Sequence, residues 1–246
     1  MTRFHVRAEA IRGEHVSFDA DEARHLARVM RLGPGDVVQA VDGQGHELTV
    51  RITEVAPRGA HGTVVTRAVR PTESPLALTL AQGIPKGDKL ERIIRMATEL
   101  GVCRVVPLAT DRTVVRAEPS EWTHRLLRCR RIAREAAKQC GRAVIPDIEP
   151  PCSLGDWLDA RESHDLLVCF REGETSGLSA LPSASVVRIA VVVGPEGGWS
   201  DAEIAHLASA GAVMAGLGPR ILRADTAAPI ALALIQDRYG DLGAAR

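Results

Sequence analysis

The chain has 246 residues, 45% of them hydrophobic and 25% charged, and its 31 basic and 31 acidic side chains cancel. That length allows one large domain or two smaller ones with ample core, and the balance excludes a global field that would draw in nucleic acid, so a charged partner must meet a local patch. No apolar run approaches the roughly 18 residues of a membrane span, and the first residues do not begin a signal peptide. The five cysteines (Cys103, Cys129, Cys140, Cys152, Cys169) form no C-x-x-C pair. The expectation is a soluble cytoplasmic protein without a metal site.

In chain order, residues 1–70 read as β-rich. Short strands are expected at 3–6 and 16–18, and an amphipathic helix over 21–32 with Ala23, Leu26, Ala27 and Met30 on one face. Gly33-Pro34-Gly35-Asp36 ends it as a turn. Strands 37–41 and 47–55 flank Asp42-Gly43-Gln44-Gly45 as a hairpin, and 63–69 adds another strand. The pattern supports a small β-barrel with one helix. A linker follows at 71–75, with Pro71 and Pro75 and no periodicity. Over 76–246 the elements alternate: strands near 76–83, 103–108, 144–148, 166–170, 186–193 and 213–217, helices near 88–100, 120–140, 153–161, 200–210 and 226–239. Such alternation predicts an α/β domain with a mostly parallel sheet covered on both faces.

Two glycine-bearing loops organise the last third. Gly194-Pro195-Glu196-Gly197-Gly198 follows a strand too apolar to be half exposed, and Ser200 with Glu203 spells a capping box for the next helix. Leu217-Gly218-Pro219-Arg220 precedes the final helix, in whose first turn Pro229 is expected. Loops of this kind at the C-terminal edge of an α/β sheet line ligand sites. Neither is a phosphate cradle of the G-x-x-x-x-G-K or G-x-G-x-x-G type. The carboxylate of Glu196 suits a cationic ligand better than a triphosphate.

These residues resemble the S-adenosylmethionine-binding motifs of SPOUT methyltransferases. The match runs through Gly194-Pro195-Glu196-Gly197-Gly198, Leu217-Gly218-Pro219-Arg220-Ile221-Leu222-Arg223 and Asp225-Thr226-Ala227. It extends to Ile84-Pro85-Lys86-Gly87-Asp88, Thr98-Glu99-Leu100-Gly101 and Gln139-Cys140-Gly141-Arg142. The family is the ribosomal small subunit methyltransferase E group, whose members methylate N3 of a uridine in 16S rRNA. One departure is Arg223-Ala224-Asp225-Thr226 where the family usually shows Arg-Thr-Glu-Thr. The resemblance implies a PUA-like RNA-binding β-barrel before a SPOUT domain with a trefoil knot, a homodimer, and the small subunit's 16S rRNA as partner. It implies S-adenosylmethionine held by Phe170, Gly194, Pro195, Glu196, Gly197, Gly198, Leu217, Gly218, Arg220, Ile221, Leu222 and Thr226. Arg223, with Arg220 or Arg142 nearby, is the catalytic candidate for the charge developing on the imide. Asp225 and Glu196 are the carboxylates available for the proton, Asp225 the catalytic candidate and Glu196 alternatively a holder of its loop. RNA contacts are expected at Arg3, Arg31, Lys86, Arg112, Gln139 and Arg142.

Each feature has a plainer reading. The loops taken singly are tight turns; Lys86 lies in a βα loop where Asp88 could cap the helix. The stripe of Arg128, Arg131 and Lys138 on helix 120–140 fits phosphates or a solvated face equally. Arginine excess over the three lysines suits RNA recognition, and genomic composition would produce it too. Two rival functions are a non-catalytic RNA-binding protein using the N-terminal barrel and a dinucleotide-dependent oxidoreductase. The absence of a dinucleotide fingerprint counts against the second.

Overall fold

The computed structural model describes residues 3–69, 72–113 and 119–243; Pro71 of the expected linker lies outside the described residues. Two compact units result. One comprises Met1–Glu73 with Arg134–Ile145, the other Ser74–Ala133 with Pro146–Arg246.

The first unit is a six-stranded sheet of β1 (Arg3–His5), β2 (Ile11–Arg12), β3 (His15–Phe18), β4 (Val37–Val41), β5 (His46–Ala56) and β6 (Gly59–Val69), in the order β1-β4-β5-β6-β3-β2. Only β1 and β4 run parallel. Alternate residues point inward, so Leu48, Val50 and Ile52 of β5 join Phe4, Phe18, Val38 and Ala40 in one core. Helix α1 (Ala20–Arg24) starts where the Asp19 carboxylate accepts the amides of Asp21 and Glu22, at 3.1 and 3.0 Å. The helix expected over 21–32 is shorter and changes pitch: a π turn, His25–Val29, continues α1. Arg31 at φ 55° then closes it, and Leu32 donates back to the Leu26 carbonyl at 2.9 Å. A left-handed residue ends a helix by geometry rather than by sequence pattern.

Residues 134–145 supply ionic partners for Asp19, Glu22 and Glu73 of this unit. Lys138 Nζ donates to Glu22 Oε1 at 2.7 Å, both side chains nearly covered. Arg134 reaches Asp19 at 3.5 Å. Arg142, 3% exposed, clamps Glu73 Oε2 through Nε at 2.9 Å and Nη2 at 2.8 Å, and Glu73 Oε1 accepts the amides of Ala143 and Val144.

The second unit is an all-parallel sheet of β7 (Ala77–Gly83), β8 (Arg104–Ala109), β9 (Asp147–Ile148), β10 (Cys152–Ser153), β11 (Leu166–Phe170), β12 (Arg188–Val193) and β13 (Val213–Ala215). The order is β10-β8-β7-β12-β11-β13, with β9 beside β8. Its helices are α2 (Lys89–Glu99), α3 (Pro119–Cys140, to Ala133 within this unit), α4 (Leu154–Ala160), α5 (Asp201–Ser209) and α6 (Ala224–Tyr239). Leu154, Trp157 and Leu158 of α4 and Leu207 of α5 cover Ala81, Val106, Leu108, Ala190 and Val192. On the other side α6 packs against α2 and β12, pinned by Gln236, which donates to the Leu100 carbonyl and accepts from Ser74. Among the described residues no helix is long and apolar enough to cross a membrane.

Three boundaries differ from expectation. The strand expected over 144–148 is only β9, because Val144 bridges to Gly43 and Gln44 in the first unit's own hairpin. The strand expected over 213–217 stops at Ala215, where Gly216 turns to bond Ser176. Helix α6 starts two residues early, which puts Pro229 in its second turn rather than its first.

Burial pushes the Glu22 carboxyl above its ordinary value, while the hydrogen bond and charge of Lys138 pull it down. Removing the ammonium leaves the upward push of burial and Glu135 opposed only by the charge of Arg134. A carboxyl raised by folding stabilises below its ordinary value and loses that contribution as pH rises. Lys138→Met should therefore cost roughly 3–5 kcal/mol at about pH 8, the cost of orphaning a buried charge, and recover much of this near pH 5. Urea denaturation at the two pH values checks this; an equal deficit at both shows that Glu22 does not carry the effect.

Candidate active site

The register places three strand ends side by side. Phe170, the buried last residue of β11, pairs with Val193 on one side and Ala215 on the other. Loop 194–198 leaves β12 and loop 216–223 leaves β13 at this same C-terminal edge, where parallel sheets offer a crevice to ligands. Beyond β12, the end of β7 lies level with them, Gln82 opposite Val193.

The first loop is tied down on several sides. Glu196 accepts the Lys86 amide at 3.2 Å and the Lys89 ammonium at 2.5 Å. Partial burial pushes this carboxyl up, but the Lys89 hydrogen bond and the loop amides outweigh that and hold it below its ordinary value. Glu196 thus fastens its loop to the β7–α2 connection. Arg112 Nη1 donates to the Gly197 carbonyl at 2.9 Å, and a Cβ on Gly197 would lie 2.9 Å from the Arg112 Cβ. Gly198, at φ 68°, closes a turn onto the Pro195 carbonyl. Trp199 lies buried beneath, its indole 3.1 Å from where a Cβ on Gly194 would stand. The expected capping box then starts α5: Glu203 donates its amide to Ser200 Oγ at 3.2 Å, and Ser200 its amide to Glu203 at 2.8 Å.

The second loop is more open. Leu217 and Leu222 are half-buried, Gly218 and Arg220 exposed, and Ile221 is 75% exposed. Arg223 is the exposed N-cap residue of α6; its carbonyl accepts the amides of Thr226 and Ala227 at 2.9 and 2.7 Å. Asp225 is mostly covered. Its Oδ2 stands 3.9 Å from Arg92 Nη1, and its buried Oδ1 has no hydrogen-bond partner. Asp88 stands at the N-cap of α2 as expected but makes no side-chain cap bond. It pairs with Arg92 at 3.1 Å instead.

Of the expected RNA contacts, Lys86 and Arg112 belong to this edge, with exposed side chains next to the first loop. Arg3, Arg31, Gln139 and Arg142 belong to the first unit. There Arg3 pairs with Glu47 at 3.1 Å, Arg31 and Gln139 are exposed, and Arg142 is turned inward onto Glu73. Sequence reasoning missed Lys89 and Arg92, the cations on Glu196 and Asp225. It also missed Gln82, which is wholly buried and donates to the carbonyls of the first loop. The available signal was an amide inside the apolar run of 78–84.

Comparison with known proteins agrees with this architecture. The family description "RNA methyltransferase domain" matches residues 72–236, and "RNA methyltransferase PUA domain" matches 18–65. The ribosomal RNA small subunit methyltransferase E of Bacillus subtilis is 34% identical over 228 residues, covering 89% of this chain and 88% of that one. The chain belongs to the ribosomal RNA small subunit methyltransferase E family. A methyltransferase E structure from Neisseria gonorrhoeae, bound to S-adenosyl methionine, superposes with a TM-score of 0.88 at 31% identity, covering 98% of this chain and 99% of that one. A Legionella pneumophila protein solved with the bound cofactor SAM gives 0.90 at 29% identity over the same shares. Methyltransferase E membership therefore accounts for both units of the chain.

Gly216 is the tightest point of the site. A Cβ there would meet the Glu174 carbonyl oxygen at 2.0 Å. Gly216→Ala should cost about 3 kcal/mol or more, at the upper end for an overpacked site. Gly211→Ala, with no atom within 4 Å of its Cβ, should cost only about 1 kcal/mol for its positive φ. Chemical denaturation of the pair measures the difference; equal costs mean that the 171–180 segment yields freely.

Proposed function

We propose that this protein methylates N3 of a uridine in the 16S rRNA of the small ribosomal subunit, in the cytoplasm, with S-adenosylmethionine as donor. The observation that carries the reading is the pair of glycine loops at one sheet edge in a chain of this family, two of whose relatives were solved with that cofactor. The residues present fit it. Gly218 has open space where a Cβ would stand, Phe170 ends the strand between the two loops, and Asp225 keeps a buried oxygen without a hydrogen-bond partner, which suits a cationic ligand. Bound there, the cofactor supplies an electrophilic methyl group on a sulfonium.

The chain's own residues then have separable tasks. A uridine imide nitrogen must lose its proton to become a nucleophile, and negative charge spreads to the flanking carbonyl oxygens. Arg223, exposed at the N-cap of α6 and without a carboxylate partner among the described residues, is the donor for that charge. Asp225 Oδ1 is the acceptor for the proton. Glu196 and Arg112 hold the first loop, and Lys86 meets a phosphate. Arg142, locked onto Glu73, acts as a support for its unit. A homodimer completes the reading. Ala231 and Ile235 of α6 are buried within this chain, but Ile230 and Ile221 stay exposed for a partner copy. The contacts of the 171–182 segment with Gly216, Arg238 and Tyr239 agree with a knotted C-terminal end.

Tritiated methyl transfer to undermethylated small subunits, followed by nucleoside analysis, tests the whole: label should appear in 3-methyluridine, and label in any other nucleoside refutes the position. Gly197→Val should abolish cofactor binding in calorimetry, because its side chain enters space held by Arg112; wild-type affinity in the folded variant would falsify the loop assignment. Arg223→Ala should lower single-turnover methylation roughly 100- to 1000-fold, as for loss of one oxyanion donor, with cofactor affinity nearly unchanged. Asp225→Asn should be slow at neutral pH and recover as pH rises, when the imide ionises unaided. A defect equal at every pH would make Asp225 an organiser of the site instead.

A further inference from the structure

Gln82 is 0% exposed on a face of β7 it shares with Leu78 and Leu80, also fully buried. Its Nε2 donates to the carbonyl oxygens of Gly83 at 2.8 Å, Gly194 at 3.3 Å and Val193 at 3.4 Å. Its Oε1 is buried without a partner. Only one amide orientation is tolerable here, because the reverse would aim oxygen at three oxygens. An amide buried with an orphaned acceptor costs stability that leucine would not, so packing does not account for it. The next residue supports the same contact. A Cβ on Gly83 would stand 2.4 Å from Pro195 Cδ and 2.6 Å from Pro195 N, so the loop lies directly on the strand.

We propose that Gln82 is a positioning residue for the cofactor loop: it fixes the peptide planes that leave Val193 and Gly194, and so the direction in which loop 194–198 opens. Because a peptide unit is planar, holding the Val193 carbonyl toward β7 turns the Gly194 amide the opposite way. Glu196 and Arg112 hold the loop farther along; Gln82 holds its root, where the glycine at 194 would otherwise be free to reorient, at an entropic cost to affinity. Gln82 removes that cost beforehand. The ligand in this inference rests on the S-adenosylmethionine reading; the preorganisation of the loop does not.

Two variants of the full-length protein test it. Gln82→Leu should fold and should weaken S-adenosylmethionine binding in calorimetry roughly tenfold, the worth of one or two hydrogen bonds. KM for the cofactor should rise in parallel, turnover at saturating cofactor should change little, and amide exchange across 194–199 should quicken. Gln82→Glu places a carboxyl whose acid form can donate to the same carbonyls and whose ionised form is repelled by them. Its cofactor affinity should fall as pH rises through the elevated range of a buried acid, while the wild type stays flat. Wild-type affinity and exchange in folded Gln82→Leu, or pH-independent wild-type affinity in Gln82→Glu, overturns the proposal. If the unaltered protein binds no S-adenosylmethionine, the cofactor reading fails by itself. The exchange comparison then still decides Gln82: quickened exchange upholds it and unchanged exchange overturns it.

Discussion

Parallel pairing of β7 with β12, from Ala77 opposite Arg188 to Gln82 opposite Val193, is the constraint on which the candidate site depends. It joins connections that lie 110 residues apart in the chain, so that Glu196 can reach the amide of Lys86. Helix α2 follows β7 and α6 covers β12, so the pairing also brings Arg92 toward Asp225. A strand register therefore sets the surroundings of a carboxylate on a distant helix. Register is strongly specified here, because β12 is buried on both faces from Ile189 to Val193 and a one-residue slip would exchange its two packed surfaces.

The first unit solves a different problem. A unit built on a hairpin of two 11-residue strands and a short helix has a modest core, and it covers two ionic clusters as well, Glu22 with Lys138 and Glu73 with Arg142. Buried pairs of this kind are poor sources of net stability, since desolvation consumes most of the attraction. Their effect is specificity. A segment laid down wrongly would strand a buried charge, which few alternatives could tolerate. Residues 134–145 are held in this unit by Arg134, Lys138 and Arg142 and by backbone bonds of 143–145 to the Gly43–Gly45 turn, although Lys138 lies on a stripe of α3 that the sequence fits equally to phosphates or a solvated face.

Much of this was legible beforehand because periodicity and loop chemistry report local structure. Alternation over 37–55 marked the β4–β5 hairpin, Ser200 with Glu203 marked the start of α5, and the run ending at Val193 marked a central strand. What stayed hidden depended on tertiary partners. The π turn at His25–Val29, the inward turn of Arg142 onto Glu73, and the membership of 134–145 in the first unit have no local signature. At the site, the glycines were visible as glycines, but their reasons lie across the fold: Arg112 for Gly197, Glu174 for Gly216, Pro195 for Gly83. Asp88 shows the limit from the other side. The right residue stood at the helix start, and a closer guanidinium took its carboxylate.

The same pairing of β7 with β12 has a cost in time. At typical synthesis rates of about 5–20 residues per second, the stretch between Gln82 and Val193, 111 residues, takes roughly 5–20 s to emerge. Once made, β8 can cover one edge of β7, while the other edge, destined for β12, stays open. The unpaired edge of an apolar strand is a template for association with other chains. A nascent chain that stalls within the stretch would expose that edge for as long as the stall lasts, which makes it a natural client for chaperones that shield hydrophobic strands.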